Sequence, residues 1–316
     1  MNKINDLTIS AVIACYKDGE AIPIMHTRLT NVFKKIGCKY EIIFVNDGSP
    51  DDSENILEDI CSKDLNTTAI FHSRSFNSQN AFTSGMKQAN GDAVVLLDGD
   101  LQDPPEIIEK FINEWKKGYE VVYGIRTKRE ANFFLKFSYK FFYRLFNKLS
   151  NIRIPLDAGD FSLMDKKVVD AINNTPETDR FIRGLRAWVG FKQTGVEYYR
   201  PDRKYGKTTN NLFKNVRWAK KGIFSFSYIP LELISYLSYF IVLISMFAII
   251  WYIALYFIYP GAPRGITTIL VLVLFLGGIQ ILSISILSEY ITKILDETKK
   301  RPKFIIKKII NYKKNK

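Results

Sequence analysis

The sequence predicts an α/β chain: a doubly wound parallel sheet followed by a pair of membrane-crossing helices. Two observations predict it. Apolar or β-branched runs alternate with helical patterns as far as Leu97, and two long stretches further on are almost free of charge. Leu7–Cys15, Tyr40–Val45, Thr68–Phe71 and Ala93–Leu97 read as buried strands, and Ala21–Ile36, Ser53–Leu65 and Ala81–Ala89 as the helices between them. Residues 231–259 carry one charge, Glu232, and residues 266–288 carry none, so each can cross a hydrocarbon core of roughly 30 Å. Pro260–Gly265 is short enough to join them as a tight hairpin.

Beyond the second crossing, residues 299–316 hold nine Lys/Arg and no acid, which places the C-terminus in the cytoplasm. Two crossings place the N-terminal domain there as well. The expected organisation is a cytosolic domain over 1–210, an interfacial helix over 211–227, two transmembrane helices over 228–290 and a basic cytoplasmic tail over 291–316. Residues 131–150 also read as interfacial. Lys136, Lys140, Arg144 and Lys148 recur every fourth position among eight aromatic residues, which sets a cationic stripe against an aromatic face.

Over 316 residues, 45 Lys+Arg against 32 Asp+Glu leave a net charge of +13, which points to anionic partners. The basic residues cluster beside the apolar segments and on no nucleic-acid motif, so anionic membrane lipid is the expected partner and nucleic acid is not. Composition excludes disorder, collagen and a wholly soluble enzyme. Cys15, Cys38 and Cys61 lack metal-ligand spacing and read as reduced core thiols. Met1–Asp6 leads into a strand-like run, so export of the N-terminal half is not expected.

In a doubly wound sheet, ligands sit beyond the carboxyl ends of the strands. The polar signatures fall there: Ala14–Glu20 after the first strand, Asn46–Ser53 after the second and Asp98–Pro105 after the fourth. Neither a dinucleotide fingerprint nor a P-loop occurs at a strand end, so phosphate must be held another way. Two carboxylates at i and i+2 leaving a buried strand, as in Asp98-Gly-Asp100, suit one hard divalent cation that neutralises a diphosphate. The bland alternatives are a solvated turn and, for Asp103, a helix cap. Asn46 and Asp47 are read as contacts to a base or ribose, with Asp51 or Ser53 left to cap the next helix.

Taken together, Asn46-Asp-Gly-Ser49, Asp98-Gly-Asp-Leu-Gln-Asp-Pro-Pro-Glu106, Asp157-Ala-Gly-Asp-Phe-Ser-Leu-Met-Asp165 and Arg180–Trp188 resemble family 2 glycosyltransferases. Within that family the chain looks like the polyprenyl-phosphate branch, which holds dolichol-phosphate mannose synthases and bactoprenol glucosyltransferases. The resemblance implies a GT-A fold with nucleotide contacts at Tyr16, Asp18, Asn46, Asp47, Arg74 and Asp98. It implies Mg2+ or Mn2+ held by Asp98 and Asp100 with Gln102 close by, and a base at Asp157 or its loop neighbour Asp160. Arg126 matches a contact to the lipid phosphate. Two departures stand out. Thr209 and Asn210 occupy the lysine and aromatic positions of the family's G-x-[ST]-K-[YF] motif, leaving Lys207 or Lys204, beside Arg203, to supply charge, and Ser162 replaces the arginine of G-D-F-R-L.

The implied reaction is inverting transfer of one sugar, glucose from UDP-glucose, to undecaprenyl phosphate at the cytoplasmic face of the plasma membrane. A homo-oligomer, by resemblance a tetramer, is expected. Two rivals have their own signatures. A processive polysaccharide synthase would explain Lys214-Asn-Val-Arg217-Trp218, one residue from Q-x-x-R-W, although two helices make a poor conduit for a polymer. A noncatalytic module binding nucleotide sugar or lipid would explain the loops without turnover.

Overall fold

The structure, a computed structural model, describes residues 6–127, 158–201, 227, 229–258 and 265–311. The expected alternation is present: β1 (Thr8–Cys15), α1 (Ile22–Ile36), β2 (Lys39–Asn46), α2 (Ser53–Lys63), β3 (Thr67–His72), α3 (Ser78–Gln88) and β4 (Ala93–Asp98). A short 3-10 turn, Pro105–Ile107, leads into α4 (Ile108–Lys116), β5 (Val121–Thr127), β6 (Ala158–Asp165), α5 (Lys166–Asn174), α6 (Ile182–Trp188) and β7 (Gln193–Tyr199). The chain then runs through α7 (Ile229–Ile258) and α8 (Ile266–Thr298) and ends its described elements at β8 (Ile306–Ile310).

The strands form one sheet in the order β7-β5-β6-β4-β1-β2-β3-β8. Its centre, β4-β1-β2-β3, is parallel, as the strand–helix alternation requires. The flanks depart from the expected all-parallel sheet: β6 runs antiparallel to both β4 and β5, and β8 runs antiparallel to β3. Period-2 alternation splits each central strand between two helical layers. Ile9, Ala11 and Ile13 of β1, with Ile42, Phe44, Val95 and Leu97, join Met25, Leu29, Phe33, Leu57 and Phe111 in one continuous core. On the other face α3 packs on β1 and β2, beside α5 and α6. This is the GT-A-like α/β architecture. All three cysteines are buried and unpaired.

Ile306–Ile310 pairs with β3 of the same chain, in the register Ala69 to Ile310 and Phe71 to Lys308. This covers an edge strand whose N–H and C=O groups would otherwise be open. Asn311 locks the join by donating its side-chain amide to the carbonyls of Cys61 and Thr67 at 2.6 and 3.1 Å. The sheet with β8 forms one compact unit, and α7 with α8 forms another.

Ile229–Ala248 and Leu272–Thr298 are apolar and long enough to cross a membrane, each with mean hydropathy 1.9. Pro230 falls in the first turn of α7, where its missing N–H costs no helical bond. Helix α8 continues beyond residue 290, the expected end of the transmembrane segment, as far as Thr298. The expected interfacial helix over 131–150, the helix over 211–227 except Ser227, and most of the Pro260–Gly265 connection lie outside the described residues.

Candidate active site

The strand order reverses at β1, with β2 on one side and β4 on the other, so the loops after β1 and β4 open at the switch point. Gly99 lets these loops meet. Its N–H donates to the Ala14 carbonyl at 3.0 Å, and a Cβ there would lie 3.0 Å from Cys15 Sγ and 3.1 Å from Asp18 Oδ2. Asp18 is buried and accepts the Tyr16 N–H at 3.0 Å, which leaves the Tyr16 ring exposed at the rim. A cavity of about 510 Å3 lies between the loops after β1 and β2, lined by Lys17, Asp18, Gly19, Glu20, Pro50 and Asp51 among others. Burial alone would raise the Asp51 carboxyl, but hydrogen bonds from Ser49, Ser53 and the Gly19 N–H hold it below its usual range.

Asn46 and Asp47 are both buried at the end of β2, and they are engaged differently. Asn46 Oδ1 accepts the Ser49 N–H at 2.8 Å and shapes the turn. Asp47 accepts from His72 Nδ1 at 2.7 Å, Ser75 Oγ at 2.8 Å, the Phe76 N–H at 2.9 Å and the Asn77 N–H at 2.8 Å. Its carboxylate is thus the anchor of the loop between β3 and α3. Gly48, at φ +64°, permits this approach, because a Cβ would sit 2.5 Å from the Arg74 carbonyl carbon. Arg74 lies exposed on the same loop, its guanidinium 4.3 Å from the Phe76 ring centroid.

After β4 the carboxylates crowd. Burial, with Asp103, Asp100 and Asp160 nearby, pushes the Asp98 carboxyl up to about 8. Burial also raises Asp103, against the pull of Arg200 and Arg126. One oxygen of Asp103 accepts the Tyr198 hydroxyl at 2.6 Å, and the other is buried without a partner. The capping alternative for Asp103 is therefore not realised. Gln102 donates its side-chain amide to the Pro201 carbonyl at 3.2 Å, tying this loop to the end of β7. No group of three or more His, Cys, Asp or Glu side chains is arranged to hold a metal among the described residues. The donor set nevertheless fits one hard divalent cation. Two mutually repelling carboxylates and an orphaned acceptor oxygen are what such an ion uses when it also binds a diphosphate.

Guanidinium groups face these acids. Arg126 on β5 reaches the Tyr198 hydroxyl through Nε at 3.4 Å. Burial would lower its pKa, but Asp103 and Tyr198 together outweigh that and raise it. Arg200 stands 4.0 Å from Asp100 and 3.9 Å from Asp103. Sequence reasoning misses Arg200 and Tyr198, although strand-end logic would have found both had Gln193–Tyr199 been read as a strand.

Asp160 corrects an expectation. It lies within β6 and not on a short loop, and it makes a bidentate pair with Arg183, both bonds at 3.1 Å, while Gln79 donates to it at 3.1 Å. Burial would raise its carboxyl, yet Arg183, with Arg186 and Arg126 behind it, holds it low. A carboxylate so engaged is a poor proton acceptor. The other expected positions, Asp157, Arg203 and Lys207, lie outside the described residues.

Residues 10–173 match glycosyl transferase family 2. The uncharacterised glycosyltransferase YkcC of Bacillus subtilis is 42% identical over 303 residues, covering 95% of this chain and 93% of that protein. A prophage bactoprenol glucosyl transferase homolog of Escherichia coli is 38% identical over 304 residues, covering 96% and 99%. The bactoprenol glucosyl transferase of Shigella phage SfII is 37% identical over 303 residues, covering 96% and 98%. Among solved structures, mannosyl-3-phosphoglycerate synthase from Rubrobacter xylanophilus aligns with a TM-score of 0.47 at 13% identity over 68% of this chain and 71% of that one. On its sequence match and its near full-length relatives, the chain belongs to glycosyl transferase family 2.

Proposed function

We propose that this glycosyltransferase moves a single sugar, glucose carried by UDP, onto a polyprenyl phosphate at the inner face of the plasma membrane. One observation carries the reading. The crowded carboxylates after β4 lie in the same electrostatic cluster as Arg126, so a site for a cation-bridged diphosphate adjoins one for a second phosphate. The chain bearing this cluster also carries two helices long and apolar enough to reach a lipid acceptor, and relatives of near-equal length are named for bactoprenol.

Asp98 and Asp100, with Gln102 beside them, would hold Mg2+ or Mn2+, which when bound supplies positive charge to the departing diphosphate. Arg126 orients the acceptor phosphate, with Arg203 and Lys207 as further contacts. Tyr16, Asp18 and Asn46 receive the nucleotide, while Asp47 sets the loop that carries Arg74. In-line attack by the phosphate oxygen inverts the anomeric centre. A phosphate monoester has its second pKa near ~6 and is largely ionised at neutral pH, so little remains for a base to do. That residual role falls to Asp157, since Asp160 is committed to Arg183 and Gln79.

The test is transfer from a panel of radiolabelled nucleotide sugars to undecaprenyl phosphate by the full chain in detergent, with and without Mn2+, read by organic extraction. One cation-dependent, extractable sugar lipid is the expected result. Water-soluble polymer would move the reading to a processive synthase. Folded protein that binds donor without either product would move it to a binding module.

A further inference from the structure

The last described strand does more than close a sheet edge. The β3–β8 pairing shifts register between Phe71 and His72, and His72 is buried there. There the Phe304 ring stacks on the His72 imidazole, with centroids 5.4 Å apart and planes 7° apart. Phe76 meets the imidazole edge-on at 5.7 Å, and Arg74 caps Phe76 at 4.3 Å. The imidazole is fully buried, and its Nδ1 bonds to Asp47 at 2.7 Å. Because the Asp47 carboxylate already accepts the Ser75, Phe76 and Asn77 donors, Nδ1 carries the hydrogen in this bond. The backbone follows the same line, as the Ser73 N–H donates to the Ile305 carbonyl at 3.0 Å.

We propose that Phe304 is a positioning residue of the nucleotide pocket: through His72 and Asp47 it fixes the loop over residues 73–77, and Arg74 with it. The donor therefore binds well only when the segment that follows the second apolar helix is seated. Ordering this loop before the donor arrives spares part of the entropy that binding would otherwise cost. A ring is needed at position 304 because only a flat face can cover the imidazole without displacing its bond to Asp47. The inference rests on the nucleotide-sugar reading for what the loop binds, but not for the loop's dependence on Phe304.

Two measurements on the full-length protein in detergent separate these parts. The first is hydrogen exchange at Phe76 and Asn77 in the absence of nucleotide. Phe304→Ala should speed it about tenfold while Ile306–Ile310 stay protected, and Phe304→Tyr should restore it. Unchanged exchange at Phe76 and Asn77 with β8 still paired would overturn the proposal. If Phe304→Ala loosens β8 itself, Phe304→Leu keeps the apolar bulk without the flat face, and unchanged exchange at Phe76 and Asn77 in that variant overturns the proposal equally. The second is calorimetric affinity for UDP, and for GDP as control, with Mn2+ present. Phe304→Ala should weaken UDP about tenfold and raise the donor KM while leaving kcat and the acceptor KM unchanged. A purely structural role would lower Tm with UDP affinity intact, and that result also overturns the proposal. Wild-type protein that binds neither nucleotide would sink the donor reading, and the exchange result would still decide whether Phe304 orders the loop.

Discussion

Asp47 and Asp98 lie at the carboxyl ends of the two parallel strands that flank β1, and they show two uses of a buried acid. Asp47 is surrounded by donors: an imidazole, a hydroxyl and two backbone amides converge on its two oxygens. Asp98 is surrounded by acids, and its burial, together with Asp103, Asp100 and Asp160, raises its pKa to about 8. A carboxylate whose acceptor sites are filled by its own chain builds scaffold. One that faces like charge stores a demand for a cation from outside. The two loops have similar composition in sequence, and only their partners distinguish them.

The comparison is sharpest in a mutant pair. Asp100→Ala is expected to cost at least ~100-fold in transfer while leaving Tm unchanged or higher, because it removes both a cation ligand and a repulsive neighbour. Asp47→Asn is expected to do the reverse in kind: urea unfolding should show a loss of ~2 kcal/mol, since buried amides lose their charged acceptor. Equal stability losses in the two variants would erase the distinction. Arg200→Gln comes next, with an expected fall of ~10-fold in transfer, as it removes the guanidinium opposite Asp100 and Asp103.

The pH dependence follows from the sign of the Asp98 shift. Its folded pKa of about 8 lies above its ordinary 3.8, so the folded state holds the extra proton between those values and stability declines as pH rises across that window. In chelator, Tm should fall by a few degrees from pH 5 to pH 8, and Mn2+ should flatten that slope; a flat profile in chelator would contradict the crowding. The smallest effect belongs to Lys307→Ala. Its pair with Glu54 at 3.0 Å is solvent-exposed, and chemical denaturation should register at most ~0.5 kcal/mol.

The parallel core and its loops were legible because strand and helix periods alternate cleanly there, and a strand-end rule points directly at Asp98 and Asp100. The antiparallel flank was not. Asp157–Asp165 reads as a polar loop by composition, yet Ala158–Asp165 forms a buried strand because it is held between β4 and β5. Asp160 survives inside that strand because Arg183 on α6, two elements further along the chain, supplies its counter-charge and Gln79 a further donor. Likewise the donors around Asp47 come from the next strand and the loop after it, a convergence that no local spacing encodes. Asn46 reads from the sequence as a base or ribose contact, and its local bond, accepting the Ser49 N–H three residues ahead, emerges only in the structure.

The order of synthesis gives the β3–β8 pairing a further meaning. Strand β3 is made early, but its outer partner emerges only after both long apolar helices have left the ribosome. Until then the sheet has an open edge, so the domain is completed last by a piece that cannot arrive unless the hairpin has already been made. The same connectivity makes the hairpin a closed handle. A single protease cut between β7 and α7 would leave the severed sheet still clasping β8, and with it the two long apolar helices.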